Sequence, residues 1–187
     1  MRPMAVILLC IAARAGAQDS TYSELRFRLS AFRNPLAGHI TDDWRAGTGI
    51  QAEIATPLAS GEFAMAMGHV GYASTTGKPN YTGTLFTLAW TAPVATVSRL
   101  QLSGGIRLTD YRMDFDDPTI VVGLRTEEEV MLGVIGRARL GLGRRLALFA
   151  DASYGVLMLG TRTPMVLVHV GVQRAVTTPE WIRSILR

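Results

Sequence analysis

The sequence has one cysteine, one lysine and, past its first residues, no long apolar run. Each shortage excludes something. Cys10 sits inside the apolar stretch 5–13, so the chain beyond it is expected to hold no disulfide. Leu8 and Leu9 before it are not the small residues of a lipoprotein signal, so no lipid anchor is expected either. Lys78 is the sole lysine; every other basic side chain is arginine, which suits buried, geometrically fixed ion pairs. No Lys/Arg run occurs, which removes the usual footprint of a nucleic-acid surface. After residue 17 no apolar run approaches the ~18 residues of a membrane helix. Phosphate loop, zinc pattern and nucleotide fingerprint are also missing, so neither cofactor nor metal is expected. Yet the chain is 48% hydrophobic, with positive mean hydropathy. Its apolar residues are dispersed, not gathered into spans.

The N-terminus reads as a removable export signal, residues 1–17. Met1-Arg2 is a basic start, 5–13 is a short apolar stretch, and Ala15-Gly16-Ala17 is a small-residue end; Arg14 is an unusual intruder there. Without Arg2 and Arg14 the formal charge falls from +4 to +2. The mature chain is expected from about Gln18.

What the chain does have is alternation. In 165–172, Val166, Val168, Val170 and Val172 point one way, and Met165, Leu167, His169 and Gly171 the other. A period of two is a strand with one apolar face. The pattern recurs about eight times: near 22–33, 44–56, 61–74, 81–92, from 97 onward, near 130–140, 145–159 and up to 176. Val70 and Tyr72 fall on the polar side of the third strand, and a bulge near Gly68 is expected to correct them. Tight turns are expected near 57–60, 93–96 and 142–144. They alternate with more variable connections near 34–43, 75–80, 116–119 and 160–162. In the tail 177–187, a Thr-Pro-Glu start and one apolar side (Trp181, Ile182, Ile185, Leu186) predict a short amphipathic helix on the periplasmic leaflet.

An even number of antiparallel strands, with short turns at one end and looser loops at the other, is the pattern of a bacterial outer-membrane barrel. Closure leaves no strand edge for lipid to meet. The expected fold is therefore all-β: a closed eight-stranded antiparallel up-and-down transmembrane β-barrel over 18–176, with the short C-terminal helix after it. Over 22–176 the chain resembles the small outer-membrane barrels of the OmpA transmembrane domain and OmpX group. That resemblance rests on pattern, not on a diagnostic motif. It implies outer-membrane lipid, lipopolysaccharide and the barrel assembly machinery as partners. Such proteins usually end their last strand on an aromatic residue; here it ends Gln173-Arg174-Ala175-Val176.

If the apolar faces meet lipid, the polar faces fill a lumen only wide enough for side chains. Its charge network is expected to be Glu24, Arg26, Arg28, Arg45, Glu53, Glu62, Arg99, Arg107, Arg137, Arg139, Asp151 and His169. Unpaired, each would cost several kcal/mol. Expected pairs are Arg137 with Asp151, Arg107 with Glu127 or Glu129, and Glu24, Glu53 and Glu62 with Arg26, Arg28, Arg99 or Arg139. Trp44, Phe63, Trp90, Tyr154 and Trp181 are expected at the membrane interfaces. The hairpin 110–129 looks longer than a bilayer needs and offers a surface for a partner; OmpX-like proteins carry such a protruding sheet.

The main reading is a plugged, non-catalytic outer-membrane protein with a structural or surface-interaction role. Two alternatives stand beside it. A lipid-modifying enzyme would use His69, with Thr48 as its cross-strand partner, or His169, which the expected register sets opposite Ser153 near Asp151. A soluble periplasmic lipocalin-like barrel would reverse the faces, apolar inward and arginines solvated.

Overall fold

The computed structural model describes residues 22–38, 40–117, 126–158 and 162–182. The expected signal segment, the β-prone stretch 120–124, the turn at 160–161 and the tail beyond Ile182 lie outside them. The strands are β1 (Glu24–Leu36), β2 (Trp44–Ala46), β3 (Gly49–Leu58), β4 (Gly61–Ser74), β5 (Tyr81–Val97), β6 (Leu100–Phe115), β7 (Thr126–Gly141), β8 (Leu146–Leu157) and β9 (Thr163–Thr177). One helical turn, α1 (Ile40–Asp43), precedes β2. Within the tail, Glu180–Ile182 begins as helix after Pro179.

Every ladder is antiparallel, and the pairings run β3-β1-β9-β8-β7-β6-β5-β4 before returning to β3, a ring of eight strands. The seam joins the two ends of the chain, from Glu24↔Thr177 to Leu36↔Val166. Short β2 lies beside β4 in line with β3.

The faces are sorted as the alternation requires. Leu29 is 59% exposed, Ile50 65%, Val134 58% and Val170 63%, all outward, whereas Arg28, Glu53, Arg107, Arg137 and Asp151 are buried inside. The lipocalin-like arrangement, with arginines outward around a wholly apolar interior, is not the one these strands adopt.

Three details depart from expectation. First, β4 has no bulge: Glu62, Ala64, Gly68, Val70 and Tyr72 keep one inward parity. Val70 and Tyr72 belong inside because the upper lumen is apolar, built from Phe32, Leu85, Tyr111, Met113, Met131, Leu157, Met165 and Leu167. Second, the register step falls opposite, between β2 and β3: Ala46 faces Tyr72, yet Ile50 faces His69. Parity therefore flips at Gly47-Thr48, turning Trp44 and Ala46 toward the core and Arg45 outward. Third, β5 does not turn at 93–96. It runs on to Val97, absorbing Pro93, which has no N–H to donate, through a register step between Pro93 and Ala95. The turn is Ser98-Arg99, and Ser98 takes φ 54°. Ala59 does the same at φ 55° in the other two-residue turn. Tight hairpins favour positive φ there because it matches the twist of the flanking strands.

Candidate functional site

The chemistry of this chain is concentrated in the lumen, which is layered. Near the short-turn end lies a belt of ion pairs. Arg28 on β1 reaches Glu53 on β3 through Nη1 and Glu62 on β4 through Nη2, the latter at 2.5 Å. Its Nε donates to Gln173 on β9 at 2.7 Å. Arg137 on β7 crosses the barrel to Glu53, with Nη1–Oε1 2.9 Å and Nη2–Oε2 3.0 Å, and also holds Asp151 on β8 at 2.9 Å. Arg26 joins Glu24 at 2.7 Å and Glu62 at 2.6 Å. The Phe149 ring lies under both Arg137 (5.3 Å to the centroid) and Arg28 (5.9 Å). The belt thus ties β1, β3, β4, β7, β8 and β9 together. Planar guanidinium forks shared between two carboxylates hold their geometry better than single-point contacts.

Above the belt sits Arg107, 2% exposed. Among the described residues it has no carboxylate in salt-bridge range. Hydroxyls surround it instead: Nε donates to Thr109 at 3.0 Å, Nη1 to Ser153 at 3.0 Å and Nη2 to Thr87 at 3.1 Å. His169 stacks on Phe32 with centroids 4.9 Å apart, and its Nε2 stands 3.4 Å from Arg107 Nη1. Asp151 Oδ1 is 4.0 Å from the same ring nitrogen.

The loop end is lined by aromatic rings. Tyr72 and Tyr81 stack at 4.3 Å, and Trp44 meets Tyr81 edge-on at 5.5 Å. Phe115 lies 5.2 Å from Tyr81. Asn34 hydrogen-bonds the Tyr72 hydroxyl at 3.0 Å. Ile40 of α1 is buried in the same cluster. Trp44 Nε1 donates to the Pro79 carbonyl at 2.8 Å, and Lys78 lies over its ring, 5.1 Å from the centroid. Lys78 also pairs with Asp43 at 2.6 Å. That lysine and the Thr76 hydroxyl hold the Asp43 carboxyl below the ordinary carboxylate range.

Of the residues expected in the lumen, Glu24, Arg26, Arg28, Glu53, Glu62, Arg137 and Asp151 form the belt, and Arg107 and His169 the layer above it. Arg139 is half-buried at the mouth without a carboxylate partner among the described residues. Arg99 is exposed in the β5–β6 turn and Arg45 on the outer surface, so neither fills the lumen. Arg107 does not meet Glu127 or Glu129: it faces Gly133 across the β6–β7 ladder, and the two glutamates pair far higher, with Met113 and Tyr111. The expected register of the last hairpin is off by one pair of inward residues. Asp151 faces His169 and Ser153 faces Leu167, and the Ser153 hydroxyl is taken by Arg107. His69 is on the outer face with Ile50 and Thr84 as its cross-strand neighbours, while Thr48 accepts from Arg33. Trp44 belongs to the aromatic cluster, not to an interface girdle, because of the parity flip. Phe63 and Trp90 pair across β4–β5 on the outer face. Tyr154 and Trp181 are exposed, at 51% and 66%. Thr87, Thr109 and Gln173 had no charge to draw attention, although inward parity alone marks them.

The β6–β7 ladder ends level with the aromatic layer, at Asp114↔Thr126. On its outer face Arg112 pairs with Asp114 at 3.2 Å and approaches Glu128 at 3.8 Å, so the acidic residues there are partly neutralised.

The structure of Neisserial surface protein A (NspA) shares this arrangement with a TM-score of 0.59 at 13% identity, over 80% of this chain and 96% of that one. The fold is that of the small outer-membrane β-barrels. OprG from Pseudomonas aeruginosa gives a TM-score of 0.56 at 10% identity, covering 83% of this chain and 96% of its own. The N-terminal barrel domain of OprF from the same organism gives 0.52 at 11%, covering 83% and 99%. Neither a protein-family model nor a curated protein sequence matches the chain. The likeness to small outer-membrane barrels is thus one of backbone.

Proposed function

We propose that this chain is an integral protein of a bacterial outer membrane, exported by residues 1–17, whose lumen is sealed and whose role is structural or surface-contacting. The short turns at 59–60, 98–99 and 142–145 then face the periplasm, and the loops and the β6–β7 extension face outward. Lipid and lipopolysaccharide surround the apolar belt, and the barrel assembly machinery inserts it. One observation carries the reading: Arg137 spans the barrel from Asp151 on β8 to Glu53 on β3, and Arg28 meets the same Glu53 from β1. A solute passing that level would have to separate buried ion pairs, at about 3–5 kcal/mol for each one broken.

The test is reconstitution of purified protein in planar bilayers. Folding is first verified by altered gel migration with and without boiling in detergent. The expected result is no steady conductance from protein that shows the gel shift; stable channels would overturn the sealed lumen.

The long β5, β6 and β7 favour a surface-contact role for the hairpin that joins the last two. They have seventeen, sixteen and sixteen residues, against the ~9–11 that cross a bilayer. Deleting the hairpin's outer portion should abolish adhesion to a host or neighbouring surface without altering the gel shift. Lipid-directed catalysis predicts an altered acyl pattern of lipid A that depends on His69 or His169. No such change is expected.

A further inference from the structure

The short-turn end of the barrel holds two cavities that share a wall. Arg26 and Arg139 line both, and each cavity also has one carboxylate in its wall, Glu62 in the first and Glu24 in the second, both paired with Arg26. The first, about 250 Å³, runs inward past Gln101 and Ser103 to the ion-pair belt. The second, about 200 Å³, opens outward toward Arg99 in the β5–β6 turn and toward Arg144 and Arg145 in the β7–β8 turn.

The arginines here are of two kinds. Arg26, Arg28 and Arg137 are neutralised by Glu24, Glu53, Glu62 and Asp151. Arg99, Arg139, Arg144 and Arg145 have no carboxylate in salt-bridge range among the described residues. Arg139 is held there by the fold: two positions below Arg137 on β7 it shares the inward parity, opposite Gln101 on β6. Half-buried, it gives up hydration without a carboxylate in ion-pair range: the acids whose field reaches it, Glu24 and Glu62, are already held by Arg26 and Arg28. The four carboxylates are matched in number by Arg26, Arg28 and Arg137 together with Arg107 in the layer above, so the charge balance of the lumen does not require Arg139, whose charge is available to something else.

We propose that this mouth binds a phosphate-bearing anion, with Arg139 at the centre of the site. Guanidinium forks match phosphate oxygens two at a time. Four uncompensated arginines around two adjoining cavities favour a multiply charged phosphate over a single carboxylate. The phosphate could belong to a free oligophosphate or to the headgroup of a phospholipid in the adjacent leaflet. The chemistry recognised is the same, and the experiment separates the sources.

The full chain, refolded in zwitterionic detergent and checked by gel shift, is titrated calorimetrically with tripolyphosphate. In parallel, native mass spectrometry scores retention of phosphatidylglycerol against phosphatidylcholine. Arg139→Gln is the principal variant. The turn double variant Arg144→Gln/Arg145→Gln, well outside the ion-pair belt, serves if Arg139→Gln fails to fold. Arg174→Gln, at an exposed outer-face position, is the control. Saturable tripolyphosphate binding that weakens at least tenfold in the mouth variants, weakens with salt and is unchanged in the control supports the site with a free anion. Selective phosphatidylglycerol retention, lost in the same variants and without tripolyphosphate binding, supports it with a lipid headgroup. Binding of neither probe, or binding indifferent to Arg139 and to the turn arginines, overturns it. Conductance plays no part in these readouts, so a leaky lumen and an absent anion site are told apart.

Discussion

Arg137 and Asp151 stand directly opposite each other on β7 and β8, and Arg137 Nη2 lies 2.9 Å from Asp151 Oδ2 and 3.0 Å from Glu53 Oε2. One guanidinium thus compensates carboxylates that approach from opposite walls. Replacing Arg137 with Met strands Asp151 and leaves Glu53 with Arg28 alone. The expected loss is about 3–5 kcal/mol, read as a lower urea midpoint for loss of the folded gel band.

Arg107→Met should behave differently although Arg107 is equally deep. Its partners are hydroxyls, and Thr87 and Thr109 already lie 3.0 Å apart, close enough to bond each other without it. No carboxylate loses a direct ion-pair partner. The loss should be smaller than for Arg137→Met by about 2 kcal/mol or more in the same urea assay. Equal losses would mean that Arg107 is held by the field of Asp151 and Glu53 and not by its hydroxyl neighbours.

The apolar exterior makes a depth-dependent prediction. Val170 is 63% exposed near the middle of β9, and Val97 is 69% exposed at the short-turn end of β5. Val170→Arg should cost about 2–4 kcal/mol in lipid vesicles, and Val97→Arg about 0–1 kcal/mol. Equal and negligible costs would place the outer face in water.

Two glycines on neighbouring strands should respond oppositely to alanine. A Cβ on Gly105 would meet the Trp90 carbonyl oxygen at 1.9 Å, where β5 and β6 press together. A Cβ on Gly136, in β7, meets nothing within 4 Å. Gly105→Ala should destabilise by about 1–3 kcal/mol. Gly136→Ala should be neutral or stabilising by up to about 1 kcal/mol, as unfolded-state entropy falls.

The loop end has a pH-dependent contact. Asp43 ionises more readily in the folded chain because of Lys78, so its contribution is present above about pH 4 and fades as pH falls below that range. Trp44 reports it, since Lys78 lies over its ring. In a background lacking Trp90 and Trp181, Trp44 emission should shift on acidification, and Asp43→Asn should reproduce the shift at neutral pH.

Strand number, direction and inward parity were legible in the sequence because lipid and lumen demand opposite residue types on alternate positions, a signal repeated along every strand. Arg137 opposite Asp151 followed from counting through one short turn. Arg107 could not be placed that way: its partners, Thr87, Thr109 and Ser153, come from three strands, and their neutral side chains carry no charge to match. Arg45 and Trp44 were misassigned through one shared cause. A register step at Gly47-Thr48 leaves no trace in hydropathy, because both residues are small. The apolar upper lumen was invisible for a related reason. Val70 and Tyr72 look misplaced until the rings of Tyr81, Tyr111 and Phe115, from β5 and β6 beside them, are seen to need company.

The seam between Glu24 and Thr177 joins strands that stand at opposite ends of the chain. No partial product can satisfy it: a ribosome that has released only the first seven ring strands has made a curved sheet with two bare edges. Such a sheet is an invitation to aggregate in water and has no place in hydrocarbon. Ring closure must therefore wait for the last strand, which makes it the step most open to interception.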